Sequence, residues 1–319
     1  MLNRKDMAEK ILITGGAGYI GSVLTEHLLN QGCEVTCLDN LMYRQASLLH
    51  LANKPGFNFV FGDTRDKGLM GKLVPQFDVI VPLAAIVGEG ACNARMFEAT
   101  TTNRDAVVMI NELRSSDQKL VLPNTNSGYG RTTGDVFCTE ETPLSPIGHY
   151  GQTKVEAERA ILRSDKKGLT LRLATVFGVS PRMRTDLLVN DFVKRAMTDR
   201  YLALFEGQFM RNYVHIQDVA RAFEHALRRY GEMSGAYNVG LDEANMSKLD
   251  LAKRIAEHLP GTAIREDLEG KDTDQRNYIV SNEKLKGTGF VFQHSLDDGI
   301  QELIKAYTIL LRLDPSKNS

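Results

Sequence analysis

ILITGGAGYIGSVL, residues 11–24, runs from an apolar segment through a glycine-rich turn into a helical pattern. Gly15, Gly18 and Gly21 stand three apart between a strand and a helix, the context in which a glycine triplet signals dinucleotide binding. Gly15 permits the tight turn, Gly18 lets the backbone approach a pyrophosphate, and Gly21 lets helix and strand pack closely. Tyr19 and Ile20 complete the turn beside them. The helix N-terminus then offers free N–H groups and a partial positive charge to the phosphates. EVTCLD (34–39) reads as the second strand and ends on Asp39, about twenty residues beyond the glycines. A carboxylate there accepts from both ribose hydroxyls and repels a 2′-phosphate, so NAD is expected over NADP. Arg44, close by in sequence, speaks for the phosphorylated form.

Outward from this turn, the first half alternates β-branched runs with helical patterns. KILIT (10–14), FNFVFG (57–62), DVIVPLA (78–84), KLVLPN (119–124) and LTLRLA (169–174) read as further strands. Residues 20–30 and 150–163 read as helices. Nearly continuous apolar strands between helices predict an α/β fold, a Rossmann-type doubly wound parallel sheet covered on both faces. After about residue 175 the rhythm changes. RNYVHI (211–216), AYNVG (236–240) and RNYIVS (276–281) are short strand-like pieces among helices at 216–230, 246–259 and 296–311. The expected division is a NAD-binding domain over residues 1–175 and a smaller, discontinuous C-terminal substrate lobe over 176–319. Some segments of the lobe return to the first domain, and the substrate is expected in the cleft between. The strand ends supply further cofactor candidates: Asn40 after the second, Asp63 (toward the adenine amino group) and Thr64 after the third, and Leu83, Ala84 and Ala85 after the fourth.

Composition narrows the class. The 319 residues are 42 % hydrophobic, enough for a substantial core, and the formal net charge is −1 with both signs interspersed. No basic stripe points to nucleic acid. Cys33, Cys37, Cys92 and Cys138 form no CxxC pair and no ligand spacing with histidine, so neither a disulfide framework nor a metal site is expected. MLNRKDMAEK (1–10) lacks an apolar core of the signal-peptide kind, and no apolar run approaches a membrane span. A cytoplasmic protein with no membrane partner is expected.

HYGQTK (149–154) places Tyr150 and Lys154 four apart at the start of a helix, on one face. A free phenol titrates near 10 and is a poor base at neutral pH. A fixed ammonium, with an oxidised nicotinamide nearby, favours the phenolate. A lowering of about three pH units corresponds to roughly 4 kcal/mol of differential stabilisation. PNTNSGYG (123–130) ends the fifth strand, where Thr125 and Ser127 are placed to hydrogen-bond a substrate oxygen and Tyr129 to position it.

These residues resemble the extended short-chain dehydrogenase/reductase family, the NAD-dependent nucleotide-sugar epimerases and dehydratases. The likeness covers nearly the whole chain and includes TGGAGYIGS, LDN, GDTRD, PLAA, Asn103, NTNSGYG, YGQTK, RLATVFG, RNYVHIQDVA and YNVG. The resemblance implies Thr125, Tyr150 and Lys154 as the catalytic set, with Tyr150 and Lys154 also touching the cofactor and Lys154 on the nicotinamide ribose. It implies Arg211 on the substrate diphosphate, with Arg276, Arg184, Asn126 and Ser127 as further substrate contacts, and a homodimer. SPRMRTDLLVNDF (180–192), which also carries Arg182, and PNTNSGYG are most similar to enzymes that oxidise C4 of GDP-linked heptoses.

Three departures bear on the reaction. The family's 4,6-dehydratases carry an Asp–Glu pair directly after the catalytic threonine; Asn126 and Ser127 stand there, and neither acts as a carboxylic acid or carboxylate base. Pro82 replaces the usual histidine before LAA, and Thr175 replaces the asparagine of the family's NVYG stretch. Cys92 lies in the loop after the fourth strand, near the expected substrate site. The leading reading is a sugar-nucleotide C4 dehydrogenase or epimerase, with GDP-heptose or GDP-hexose as substrate. A nucleotide-sensing or scaffold protein without turnover is the contrasting one.

Overall fold

A computed structural model describes residues 9–133, 135–267 and 275–312. The N-terminal stretch read above therefore lies outside the described residues up to residue 8. The first half runs β1 (Lys10–Thr14), α1 (Tyr19–Asn30), β2 (Glu34–Asp39), β3 (Phe57–Phe61), α2 (Lys67–Leu73), β4 (Val79–Pro82), α3 (Glu89–Ala94), α4 (Met96–Thr100), α5 (Ala106–Leu113), β5 (Lys119–Thr125), β6 (Phe137–Cys138), α6 (His149–Leu162) and β7 (Leu169–Leu173). The second half runs β8 (Thr175–Phe177), α7 (Leu188–Thr198), β9 (Tyr201–Phe205), β10 (Met210–His215), α8 (Ile216–Arg228), β11 (Gly235–Val239), β12 (Asn245–Ser247), α9 (Lys248–His258), β13 (Ala263–Asp267), β14 (Ile279–Val280), α10 (Glu283–Lys286) and α11 (Leu296–Leu310).

Seven strands form one parallel sheet in the order β11-β7-β5-β4-β1-β2-β3. Its strands are apolar on both faces because both faces are covered. Ile11, Ile13, Val79, Val81 and Val121 point into one core, shared with α1 and α8. The alternate residues Leu12, Ile80, Leu120 and Leu122 point into the other, against residues of α2, α5 and α6. This is the doubly wound α/β sheet that the strand–helix alternation predicts. The order reverses on either side of β1, so the crevice for a ligand opens at the C-terminal ends of β1 and β4.

Two pieces of the second half join this sheet rather than the smaller lobe. AYNVG, a lobe-like fragment by sequence, becomes β11, paired in register with β7 at the sheet edge. The helix read over 216–230 becomes α8, whose apolar stripe of Val219, Ala220, Phe223 and Leu227 enters the same core as α1. A five-residue apolar strand offers no sequence signal of which sheet it will join. Of RNYIVS, only Ile279 and Val280 are strand, because the partner β6 is itself two residues long.

The remaining elements build a second core from Val189, Phe192, Leu202, Tyr213, Leu251, Ile255, Ile300, Leu303 and Tyr307. Two short sheets frame it, β12-β10-β8 and β13-β9. A strap over residues 178–186 runs from β8 back across the crevice. The Tyr19 hydroxyl donates to the Gly178 carbonyl at 2.8 Å, and the Ser180 hydroxyl donates to the Tyr19 carbonyl at 2.8 Å. The start of α1 and the strap are thereby tied together. No helix among the described residues is long and apolar enough to cross a membrane.

Candidate active site

A cavity of about 550 Å³ opens at the crevice. Gly15, Gly18, Tyr19, Ile20, Gly21, Asp39, Asn40, Asp63, Thr64, Leu83, Ala84 and Ala85 all line it. The glycines differ in what fixes them. Gly15 adopts a left-handed φ of +73°, and a Cβ there would lie 2.6 Å from the Ala84 nitrogen. A Cβ on Gly21 would overlap the Gly15 carbonyl, whereas Gly18 meets only that carbonyl, at 3.1 Å. Gly15 and Gly21 are thus held by packing, and Gly18 keeps the backbone open toward the cavity. Gly18 is also the N-cap of α1 and supplies no side-chain cap, so the first-turn N–H groups remain for a ligand.

Asp39 closes β2 and is nearly buried. It accepts from the backbone N–H of Ala17 at 3.0 Å and of Leu41 at 2.8 Å, and from Gln45 Nε2 at 3.4 Å. Burial raises its carboxyl above the usual range, while these donors and the nearby Arg182 guanidinium pull it down. Arg182, from the strap, lies over the Tyr43 ring at 4.7 Å and lines the cavity. Arg44 is exposed and does not line it. The guanidinium that acts on Asp39 is that of Arg182, 143 positions beyond it in sequence and invisible as its neighbour. Asp63 is bound in bidentate fashion by Arg65, at 2.9 and 2.7 Å, and held down to about 2 by that contact. Asn40 Nδ2 donates to it as well, at 3.2 Å. Thr64 is buried, and its hydroxyl has no partner among the described residues.

Thr125, Tyr150 and Lys154 lie beyond this cavity and do not form its walls. Thr125 ends β5, donates its hydroxyl to Ser127 Oγ at 2.9 Å and accepts the Ser127 N–H at 3.1 Å. Tyr150 and Lys154 share one face of α6. Lys154 is buried, and its Nζ has no hydrogen-bond partner among the described residues. Burial pushes this lysine down to about 8, against an upward pull from Glu158 one turn along. Tyr150 packs against Ile86, Cys92 and Ala99, and burial pushes its phenol up to about 12. Arg276 and Arg184 pull it down, while Cys92 and Glu89 push it up. Sequence spacing assigned the lowering of the phenol to the Lys154 ammonium together with oxidised nicotinamide. Within the chain itself, guanidinium groups of two distant segments also favour the phenolate, and desolvation outweighs them.

Of the substrate candidates, Arg276 and Arg211 gather at Ser127, whereas Arg184 stands on the cavity wall. Arg276 donates to Ser127 Oγ, and Arg211 donates to the Arg276 carbonyl and to the Met210 carbonyl, the latter at 2.9 Å. Arg184 is paired in bidentate fashion with Asp186, at 2.7 and 2.6 Å, on the cavity wall. Asn126 is fully buried, and neither its amide oxygen nor its nitrogen has a partner among the described residues. Two candidates are turned away from chemistry. The Tyr129 hydroxyl points inward, donating to Asn238 Oδ1 at 2.7 Å and accepting from Arg172 at 3.0 Å, so it holds the strand ends together rather than a substrate. Cys92 is fully buried, donates to the Ile86 carbonyl at 3.2 Å, and is pushed up to about 11 by burial, the state of an unreactive thiol.

Asn103 carries a function that sequence alone did not assign. It sits in a π-helical turn over residues 101–105, accepts from the Ile86 N–H at 2.8 Å and donates to the Ile86 carbonyl at 2.9 Å. One amide thus pins the loop behind Tyr150. Turns of this kind are frequent at functional sites and carry no sequence signature.

The unpartnered Lys154 ammonium, the orphaned Thr64 hydroxyl and the open backbone at Gly18 fit a dinucleotide. Comparison with known proteins agrees. The family model "NAD dependent epimerase/dehydratase family" matches residues 11–240. The chain is 29 % identical to the low-salt glycan biosynthesis protein Agl12 of Haloferax volcanii, over 93 % of this chain and 98 % of that one. Its structure is similar to a dTDP-glucose 4,6-dehydratase of Bacillus anthracis solved with NAD, with a TM-score of 0.82, 25 % identity, and 95 % and 97 % of the two chains covered. It is also similar to the UDP-glucose 4-epimerase of Thermus thermophilus solved with NAD, with a TM-score of 0.79, 25 % identity, and coverage of 94 % and 99 %. The chain belongs to the NAD dependent epimerase/dehydratase family, and it is an enzyme that uses NAD.

Proposed function

We propose that this enzyme oxidises C4 of a nucleotide-linked sugar, as an epimerase or a dehydrogenase. The observation that carries the reading is the buried ammonium of Lys154, without a protein partner among the described residues, on the same helical face as Tyr150. Tyr150 takes the proton from the sugar hydroxyl, and the Thr125 hydroxyl holds the same oxygen. Lys154 holds the ribose beside the nicotinamide. NAD, when bound, supplies the hydride acceptor and a positive charge next to the phenol. The chain alone leaves Tyr150 protonated at neutral pH, so Arg276, Arg184 and that charge act together on its proton. Arg211 and Arg276 offer planar, permanent charge to a diphosphate. Asp39, Asn40, Asp63 and Thr64 take the adenosine end, Gly15, Gly18, Tyr19, Ile20 and Gly21 the pyrophosphate, and Leu83, Ala84 and Ala85 the nicotinamide side.

Asn126 and Ser127 supply no carboxyl group, which argues against 4,6-dehydration. The finer reading is a GDP-linked heptose or hexose, handled by a cytoplasmic homodimer whose substrate lobe begins at about residue 176. It rests on residues 123–130 and 180–192. A panel of UDP-, dTDP-, CDP- and GDP-sugars, heptoses included, tests it through NADH appearance and NMR of the C4 configuration. Turnover with a GDP-sugar is expected. Turnover only with UDP- or dTDP-sugars removes the GDP reading and keeps the mechanism. Accumulation of a 4-keto-6-deoxy sugar overturns the argument from Asn126 and Ser127.

A further inference from the structure

We propose that Glu89 is a positioning residue for Tyr150: from the first turn of α3 its carboxylate caps the first turn of α6, fixing both the place of the phenol and the charge it faces. Glu89 Oε2 accepts from the Tyr150 N–H at 3.2 Å, and Oε1 accepts from the Gly151 N–H at 3.3 Å. These are two of the orphan donors that open every helix, and a side chain at the N-cap ordinarily takes one. Here the N-cap is Gly148, which makes no side-chain cap. A Cβ at position 148 would overlap the Glu89 carboxylate. With φ at −112°, Gly148 needs no glycine for its backbone. The glycine is explained by the room that the remote carboxylate occupies.

A serine at position 148 would cap α6 locally and cost no charge. The remote cap does something a local one does not. It joins the helix of Tyr150 and Lys154 to the loop after β4, whose residues 83–87 wall the cavity. It also sets a negative charge beside a phenol that has to lose its proton. Around Tyr150 stand Arg276 and Arg184, which favour the phenolate, and Cys92 and Glu89, which oppose it; Lys154 lies one turn along its own helix. Among these, Glu89 alone both touches the tyrosine's backbone and opposes its ionisation.

The inference rests on Tyr150 as the base, and its test is kept separate from turnover. Tyr150 ionisation is followed in the NAD-loaded protein by ultraviolet difference titration, each protein against its own Y150F counterpart. In E89Q, which keeps an acceptor but loses the charge, the midpoint moves toward acid by roughly half a pH unit, the size expected of one nearby carboxylate. Amide hydrogen exchange at residues 150 and 151 is measured in the same proteins. In E89A it quickens by roughly ten-fold, the effect of losing a cap. Gly148→Ala, which displaces the carboxylate without removing it, quickens the same amides. An unmoved midpoint in E89Q, or unchanged exchange in both E89A and Gly148→Ala, overturns the proposal. Undiminished turnover of Y150F overturns the base assignment instead and leaves the exchange result standing.

Discussion

Two buried cations lie close together in this molecule and are treated in opposite ways. Arg172, on β7, is fully provided for. Its guanidinium donates to Glu158 at 3.1 and 2.6 Å, to the Tyr129 hydroxyl at 3.0 Å and to the Glu140 carbonyl at 3.0 Å. Burial alone would lower its proton affinity, and the contacts with Glu158 more than reverse that. Lys154, one turn from Glu158 on α6, receives nothing comparable. The Glu158 oxygens are taken by Arg172, by Asn124 Nδ2 at 2.5 Å and by the Thr170 hydroxyl at 3.2 Å. The first region is a closed network that holds strands β5 and β7 to α6. The second is the same kind of burial left unfinished, and an unfinished buried charge points to a ligand.

The largest effect that bears on this contrast is expected at the phenol. Y150F should lower single-turnover hydride transfer by about 10⁴-fold, roughly 5 kcal/mol of barrier, and leave NAD binding intact by calorimetry. Near-normal transfer would mean that the unfinished region holds no base. Next comes the closed network. E158Q should cost about 3–5 kcal/mol in urea unfolding, because Arg172 is then buried without its counter-charge. K154M should not destabilise the NAD-free protein in the same measurement, since no hydrogen bond among the described residues is lost and the cost of burying the charge is removed. Equal losses in the two variants would erase the distinction.

A pH experiment sharpens it further. Below about pH 8 both the folded and the unfolded Lys154 carry the proton, and the cost of burying the charge is constant. Between about 8 and 10.5 only the unfolded chain retains it, so stability rises with pH across that window. Relative to K154M, the protein free of NAD should gain roughly 2–3 kcal/mol there. A flat difference curve would mean that the ammonium is not desolvated. The smallest effect is expected at Asp39, which lies between the two cases, buried and yet held only by backbone and amide donors. D39N should narrow the preference for NAD over NADP by roughly ten-fold, about 1.4 kcal/mol, in calorimetry with both cofactors. An unchanged ratio would move the discrimination to another group.

The same contrast explains what was legible in the sequence. The glycine turn, Asp39 and the ends of β3 and β4 follow from chain-local rules: a strand, a turn with fixed φ, a helix start. The Tyr150–Lys154 pair follows from helical spacing. What could not be read are relations between distant segments. Arg182 reaches Asp39, Arg276 reaches Ser127, and Asn103 holds Ile86, and none of these pairs has a fixed offset. AYNVG went to the larger sheet because the open edge of β7 accepts any short apolar strand, and the pattern of the strand does not name its partner. Tyr129 sits where a substrate contact would be, but its orientation was decided by Arg172, 43 residues away.

The tie between α1 and the strap also sets a timetable. The hydrogen bond from Tyr19 to Gly178 spans 159 residues, and the one from Asn190 to Tyr19 spans 171. At the usual pace of synthesis, roughly 5–20 residues per second, the partners of Tyr19 leave the ribosome roughly 10–30 s after it does. The glycine turn is made before its roof, the strap with Arg182 and Arg184. Until then the mouth of the cavity stands open, and the newborn protein has a place for a phosphate before it has a way to enclose one.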